Sequence, residues 1–206
     1  MQHYNTRKLI DELQQQTETF LEKAVLEWQI ISPAKLLRQP ATDKWSFAQC
    51  LDHLNSYGHY YLSAIEKTIE TAKQKNWTSR KVFTPGLLGN YFTKLMAPAV
   101  EGTKMKKMSA PKNHIPIADL DSREVLSEFI QQQEKLILPL EEARKINLEK
   151  AKVPISIARF IKLQLGDTFR FLIMHNIRHI LQGEGAIEAA AITGEERSEI
   201  AISVSF

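Results

Sequence analysis

Apolar residues recur every three to four positions through the long segments of this chain, and short polar or proline-containing stretches separate those segments. In the first segment, Leu9, Ile10, Leu13 and Phe20 fall on one face of a helical wheel, with glutamine and glutamate between them. Three further segments show the same period. The pattern predicts four helices, at about residues 4–29, 46–75, 122–146 and 167–182.

Local signals predict where these helices begin and end. Ser46 is a predicted N-cap, and a glutamine three residues later can complete a capping box. Asp167 is the predicted N-cap of the fourth helix. Pro139 predicts a kink or an early stop in the third helix, because proline lacks an N–H and crowds the preceding turn. Gly183 and Gly185 predict the end of the fourth helix.

The connections between the helices differ greatly in length. A crossover at residues 76–121 contains only one predicted short helix, at residues 86–96. The segment at residues 153–165, "VPISIARFIKLQL", is ambiguous between extended chain and a short helix. The order of segments predicts an all-α protein, a four-helix bundle with a long crossover between helices two and three. We expect one domain over residues 1–206, with a core at residues 2–183 and a C-terminal tail at residues 184–206.

Composition and charge narrow the class of protein. The 206 residues are 43% hydrophobic with a formal net charge of +3, which suits one globular domain and does not indicate a nucleic-acid partner. The single cysteine excludes a disulfide-stapled fold, and neither a signal peptide nor a membrane span is apparent. We therefore expect a cytoplasmic protein that contacts neither nucleic acid nor membrane.

The fourth predicted helix carries two histidines, His175 and His179, in the stretch "FRFLIMHNIRHILQG". Residues four apart share one helix face, with Cβ atoms about 5–6 Å apart, so both imidazoles can reach one cation. The alternative is that each ring packs in the core and hydrogen-bonds a carbonyl or carboxylate.

A metal site needs a third ligand. His3 lies at a chain end, His114 lies in the crossover, and His59 points away from the apolar face of the second helix. His53 lies on the flank of that face and is the best third ligand. Three neutral imidazoles with open positions suit zinc, nickel, iron or cobalt better than magnesium or calcium.

Other residues near these histidines have a functional and a structural interpretation. Arg178 can contact an anionic substrate, although a structural salt bridge is favoured. Gln182 can orient a ligand histidine, or it can satisfy backbone groups near the helix end. Cys50 is interpreted as a packed small hydrophobe rather than a nucleophile or ligand. Trp28 and Trp45 are interpreted as core residues.

Two features bear on the chemistry around the histidines. Asp52 is the nearest acid in sequence, but it points elsewhere on its helix, so no general base is evident. The basic run in the crossover can attract phosphates or an acidic thiol, although a solvated loop is favoured. Its lysines are Lys104, Lys106, Lys107 and Lys112.

Two motifs resemble signatures of the DinB-like superfamily. "KWSFAQCLDHL" at residues 44–54 is similar to its W-S-x-x-Q/E-x-L-x-H-L signature, and "HNIRHILQ" at residues 175–182 to its H-x-x-R-H-x-x-Q signature. The resemblance covers about residues 2–183. It implies that His53, His175 and His179 bind a divalent metal such as nickel or zinc, and that the protein is a homodimer. Characterised members include S-transferases and isomerases that use bacillithiol, mycothiol or glutathione, and others are described as metal-dependent hydrolases.

Two functions follow as hypotheses. The first is a divalent-metal-dependent enzyme acting on a small molecule, either a low-molecular-weight-thiol S-transferase or a hydrolase. The alternative is a non-catalytic dimeric metal-binding bundle with a structural or sensing role.

Overall fold

A computed structural model describes residues 2–98 and 108–203, with side chains described as far as residue 189. Helices account for 65% of the chain, and only two small two-stranded sheets are present among the described residues. The prediction of an all-α helical bundle is confirmed.

Six helices and four short strands make up the described chain. The helices are α1 (Thr6–Leu26), α2 (Pro33–Leu37), α3 (Phe47–Gln74), α4 (Leu87–Met96), α5 (Ser122–Ala143) and α6 (Leu165–Ser203). The strands are β1 (Tyr4–Asn5), β2 (Val82–Phe83), β3 (Lys152–Ile155) and β4 (Ala158–Gln164). Two 3₁₀ turns, Trp28–Ile30 and Lys112–His114, lie in the connections.

The four long helices, α1, α3, α5 and α6, form the bundle. Helix α3 packs against both α5 and α6, whereas α1 packs against α5 and more lightly against α6. Helices α1 and α3 therefore occupy diagonal corners, as do α5 and α6. The aromatic side chains of Trp28, Phe47 and Phe129 meet in the core, with ring centroids 5.0 Å and 5.9 Å apart for the two pairs that include Trp28.

Most predicted helix starts are confirmed. Ser46 and Gln49 form the capping box of α3, each side chain bonding the backbone N–H of the other residue. Helix α5 begins at Ser122 and passes through Pro139 before ending at Ala143. Helix α6, by contrast, begins at Leu165 directly after β4, so Asp167 lies in its first turn and the N-cap prediction is wrong.

The predicted end of the last helix is also wrong. Helix α6 continues through Gly183 and Gly185 to Ser203, so residues 184–203 extend the helix rather than form an irregular tail. Glycine inside a helix costs only about 1 kcal/mol relative to alanine, which tertiary packing can offset. Gly183 is buried against Phe47, and this close packing supplies the offset.

The ambiguous segment before α6 is a β-hairpin. Strands β3 and β4 pair antiparallel, with Val153 opposite Leu163 and Pro154 opposite Lys162. Val153, Ile155 and Leu163 are buried beneath the hairpin. Within the crossover, α4 confirms the predicted short helix and packs against α6. No helix in the described ranges is long and apolar enough to cross a membrane.

Candidate metal centre

Three histidines from two helices converge beside the core. His53 comes from α3, while His175 and His179 come from successive turns of α6. One ring nitrogen of each lies within 4.8 Å of the other two, and all three side chains are buried. The ring centroids are 5.0 Å apart for His53 and His175, 4.6 Å for His53 and His179, and 4.7 Å for His175 and His179.

A hydrogen bond to the crossover fixes the orientation of the His53 ring. Nδ1 of His53 lies 2.6 Å from the carbonyl oxygen of His114, which can only accept, so Nδ1 carries the proton and donates it. Nε2 of His53 therefore keeps its lone pair, which is the tautomer that binds a metal. That Nε2 lies 3.2 Å from Nε2 of His175.

His114 is the residue at this site that sequence reasoning missed. Its imidazole stacks on Tyr57 with ring centroids 3.8 Å apart. The Ser56 hydroxyl donates to the His53 carbonyl at 2.7 Å, so it accepts from Nδ1 of His114 at 2.8 Å. Nε2 of His114 then accepts from the Ser156 hydroxyl at 2.9 Å. The side chain of His114 thereby ties the crossover to α3 and the hairpin, and its carbonyl orients His53.

Burial keeps the three converging imidazoles neutral. It lowers the pKa of His53 to about 4, although the bond to the His114 carbonyl opposes this shift. Burial, together with repulsion from His53 and Arg178, lowers the pKa of His179 to about 3, although a side-chain hydrogen bond with Gln182 opposes this shift. Burial holds the pKa of His175 well below its usual range. All three rings therefore offer lone pairs at neutral pH without first losing a proton.

The donor set fits a first-row transition metal. Two nitrogens bound to one tetrahedral zinc at about 2.0–2.1 Å lie about 3.3 Å apart, close to the 3.2 Å between Nε2 of His53 and Nε2 of His175. Nδ1 of His175 and Nδ1 of His179 are buried without a hydrogen-bond partner among the described residues. A cation between Nε2 of His53 and Nε2 of His175 would satisfy the lone pairs that face each other in this buried cluster.

The histidines open into a cavity of about 510 Å³. Its described lining includes Trp45, Tyr57, Met96, Arg178 and Gln182. The structure thus brings the two flanking residues predicted from sequence to the same cavity as the three histidines. Trp45 is only half-buried, with its ring 4.9 Å from that of His53, so it forms the cavity wall and its assignment to the core is wrong. Trp28 is a core residue, as predicted.

The remaining sequence candidates lie away from the histidine cluster. Nε2 of His59 lies 2.6 Å from a Glu128 carboxylate oxygen, and His3 bonds Thr84. Asp52 accepts from the backbone N–H of Ile117, which confirms that it points elsewhere. Cys50 is fully buried, and burial raises the pKa of its thiol to about 12, which confirms a packing role. Lys104, Lys106 and Lys107 lie outside the described residues.

Comparison with known proteins agrees with the two sequence motifs. A profile of the DinB superfamily matches residues 8–182, a span that includes His53, His175 and His179. No curated protein and no solved structure matches the chain. Because the profile spans most of the sequence and reaches into all four bundle helices, the chain belongs to the DinB superfamily.

Proposed function

We propose that this protein is a divalent-metal-dependent enzyme that transfers a low-molecular-weight thiol to a small electrophilic substrate. The observation that carries the proposal is the convergence of three neutral, buried imidazoles on one side of an open cavity. Three protein ligands with space beside them are the arrangement of catalytic rather than structural metal sites.

In this mechanism His53, His175 and His179 would hold the metal, and the His114 carbonyl fixes the His53 tautomer that leaves the Nε2 lone pair free for it. The bound metal would act as a Lewis acid that favours the deprotonated form of a thiol or water ligand at neutral pH. The donor set favours zinc, nickel or iron. Arg178 lies in the cavity lining, where its guanidinium can bind a carboxylate of the thiol or substrate.

The acidic residues around the cavity favour a thiol over water as the nucleophile. Asp43 is the only carboxylate among the described lining residues, and it is exposed. A free thiol has a pKa of about 8.5, whereas water has one of about 15.7, so a thiol is deprotonated more easily in a cavity whose described lining offers no buried carboxylate as a base. In the proposed transfer a new S–C bond forms, the bond from carbon to the leaving group breaks, the leaving group keeps its electron pair, and the thiol proton passes to solvent.

Metal content tests the first part of the proposal. Protein purified without a histidine tag should contain close to one equivalent of zinc, nickel or iron by elemental analysis. His53→Ala and His179→Ala should each lose most of it, while the control His59→Ala, in an exposed residue outside the cluster, should keep it. Undiminished metal in both cluster variants would show that these histidines are not the ligands.

Turnover tests the second part. Metal-loaded protein should accelerate the reaction of 1-chloro-2,4-dinitrobenzene with at least one of glutathione, bacillithiol and mycothiol. A control reaction measures hydrolysis of 4-nitrophenyl acetate without thiol. Hydrolysis with no thiol transfer would assign the site to a hydrolase instead.

The alternative is a non-catalytic dimeric bundle in which the metal is structural or sensory. The ligands come from α3 and α6, so one cation would cross-link two core helices. This alternative predicts that chelation lowers the melting temperature while neither thiol transfer nor hydrolysis is detected.

We also propose that the protein is a homodimer. Leu87, Leu88 and Tyr91 are large, exposed side chains on α4, and they form an apolar surface that a second copy would cover. Light scattering during gel filtration should give twice the monomer mass. Leu87→Glu should shift the mass to that of the monomer, and a monomeric wild-type protein would contradict the proposal.

A further inference from the structure

A second concave surface lies between α3 and the hairpin, outside the metal cavity. We name it the basic groove. Its volume is about 820 Å³, and no acidic residue is present among its described lining residues. Its charged lining consists of six Lys or Arg side chains, with His59 at one end. The six are Lys67, Lys75, Lys150, Lys152, Arg159 and Lys162.

The spacing of side chains along α3 and along the hairpin strands explains why these residues line the same groove. Lining residues on α3 recur at positions 60, 63, 64, 67, 68 and 71, followed by its C-cap Lys75, and they lie on one helix face over a stretch about 22 Å long. On the hairpin, Lys152, Pro154 and Lys162 lie opposite the buried face formed by Val153 and Leu163. Strand alternation therefore directs one set of residues into the core and the other set towards the groove.

The cations of the groove lie outside every salt bridge of the described chain, and Asp167, which interacts electrostatically with Lys152, is buried at the start of α6. The ammonium groups of Lys75 and Lys150 lie 5.2 Å and 5.1 Å from the centroid of the Trp77 ring, and these cation–π contacts hold two charges in place. Unpaired like charges around a concave surface raise the local concentration of anions.

The donors in the groove are charged groups rather than hydroxyls. Thr68 and Thr71 already donate their hydroxyl protons to helix carbonyls, at 2.7 Å and 2.8 Å. Recognition therefore depends on ammonium and guanidinium groups, which bind phosphoryl oxygens. We propose that the basic groove binds a compact polyanion, namely a chain of linked phosphoryl groups, either free or on a nucleotide.

Negative charge outside the groove favours a ligand that is no longer than the groove itself. Without the six groove cations, 21 of the 27 Lys and Arg remain against 24 Asp and Glu, so the rest of the chain carries a net charge of −3. Glu66 and Glu70 line a neighbouring depression together with Lys67. A ligand confined to the groove avoids these acids, whereas a longer polyanion that leaves the groove on this side would meet Glu66 and Glu70.

Titration of the full-length protein with inorganic tripolyphosphate tests this inference by calorimetry at low salt. We expect saturable 1:1 binding that weakens as salt is added. Lys152→Gln combined with Lys162→Gln should raise the Kd at least tenfold. The control, Lys35→Gln combined with Arg38→Gln, removes the same charge from exposed residues of α2 and its C-cap and should change the Kd less than twofold. Binding should also change the fluorescence of wild-type protein but not that of Trp77→Phe.

Parallel titrations distinguish the ligands. Tighter binding of ATP than of tripolyphosphate would assign the groove to nucleotides and the reverse to free phosphate chains, and either result supports the proposal. Equal losses in the groove and control variants, or no saturable binding, would overturn it. Binding of single-stranded DNA or of phosphatidylglycerol vesicles that depends on Lys152 and Lys162, without binding of tripolyphosphate, would also overturn it. Metal content should be unchanged in both double variants, so this test is independent of the proposed metal centre.

Discussion

Gly183 sets how closely α6 approaches α3 beside the candidate metal centre. It lies one turn after His179, and a Cβ atom added there would fall 2.7 Å from Cδ2 and 3.3 Å from Cα of Phe47. Ordinary contact begins at 3.4 Å, so the first distance is too short by 0.7 Å. Phe47 is 1% exposed and its Cα belongs to the backbone, so neither atom can move freely. Gly183→Ala should therefore force the two helices apart.

The free energy of this change can be worked from two opposing effects. Alanine in place of a mid-helix glycine stabilises by about 1 kcal/mol. Overpacking a filled core costs about 1–3 kcal/mol, so Gly183→Ala should lower the free energy of unfolding by up to about 2 kcal/mol. Gly185→Ala is the matched control, because its added Cβ would meet nothing within 4 Å. The gain in helix propensity is the same in both variants. Their free energies of unfolding should therefore differ by about 1–3 kcal/mol, and this difference measures the cost of the close contact with Phe47.

Two measurements test the prediction. Urea unfolding of the metal-free variants gives the difference in stability, and competition with a chromophoric chelator gives metal affinity. Metal–ligand distances tolerate only about ±0.2 Å, so a small separation of His53 from His175 and His179 should weaken binding about 10–100-fold in Gly183→Ala alone. Equal stability of the two variants within about 0.5 kcal/mol, or equal metal affinity, would refute the reasoning.

Two further predictions concern the crossover and the start of α6. His114→Ala should weaken metal binding about 10–100-fold by chelator competition, because it releases the carbonyl that orients His53, whereas exposed Lys112→Ala in the same turn should not. Burial raises the pKa of Asp167, despite hydrogen bonds from Gly86 and Arg170. Its contribution to stability is therefore present below its unfolded pKa and is lost as pH rises through its folded pKa. Urea unfolding should show wild type gaining stability relative to Asp167→Asn between pH 8 and pH 4.5, and a pH-independent difference would contradict this.

Local sequence signals predict most helix starts, but they fail where a residue distant in the chain determines the structure. The capping box at Ser46 needs only residues near in sequence, so it could be recognised without coordinates. Gly183 carries the same local signal as a helix terminator, yet its environment is set by Phe47, which lies far away in the chain. The hairpin segment is ambiguous in sequence because two features interrupt its alternation: Phe160 is apolar yet 87% exposed, and the strand register shifts between Pro154 and Ile155.

In the candidate site, too, features set by nearby residues can be predicted from the sequence, whereas features set by distant residues cannot. Spacing on one helix was enough to pair His175 with His179, and wheel position was enough to select His53. His114 could not be found in this way, because its role depends on a backbone carbonyl and on contacts with Ser56 and Ser156. The core assignment of Trp45 fails because its ring lies beside both His53 and His179, and the position of α6 that brings His179 there cannot be read from the local sequence.

The β3–β4 hairpin contacts both regions of the molecule that we assign to ligands. Its turn supplies Ser156 to the imidazole of His114, and its strands supply Lys152 and Lys162 to the basic groove. Thermodynamic linkage then imposes a strict symmetry. If bound metal changes the affinity for tripolyphosphate by some factor, then saturation with tripolyphosphate must change the affinity for the metal by the same factor.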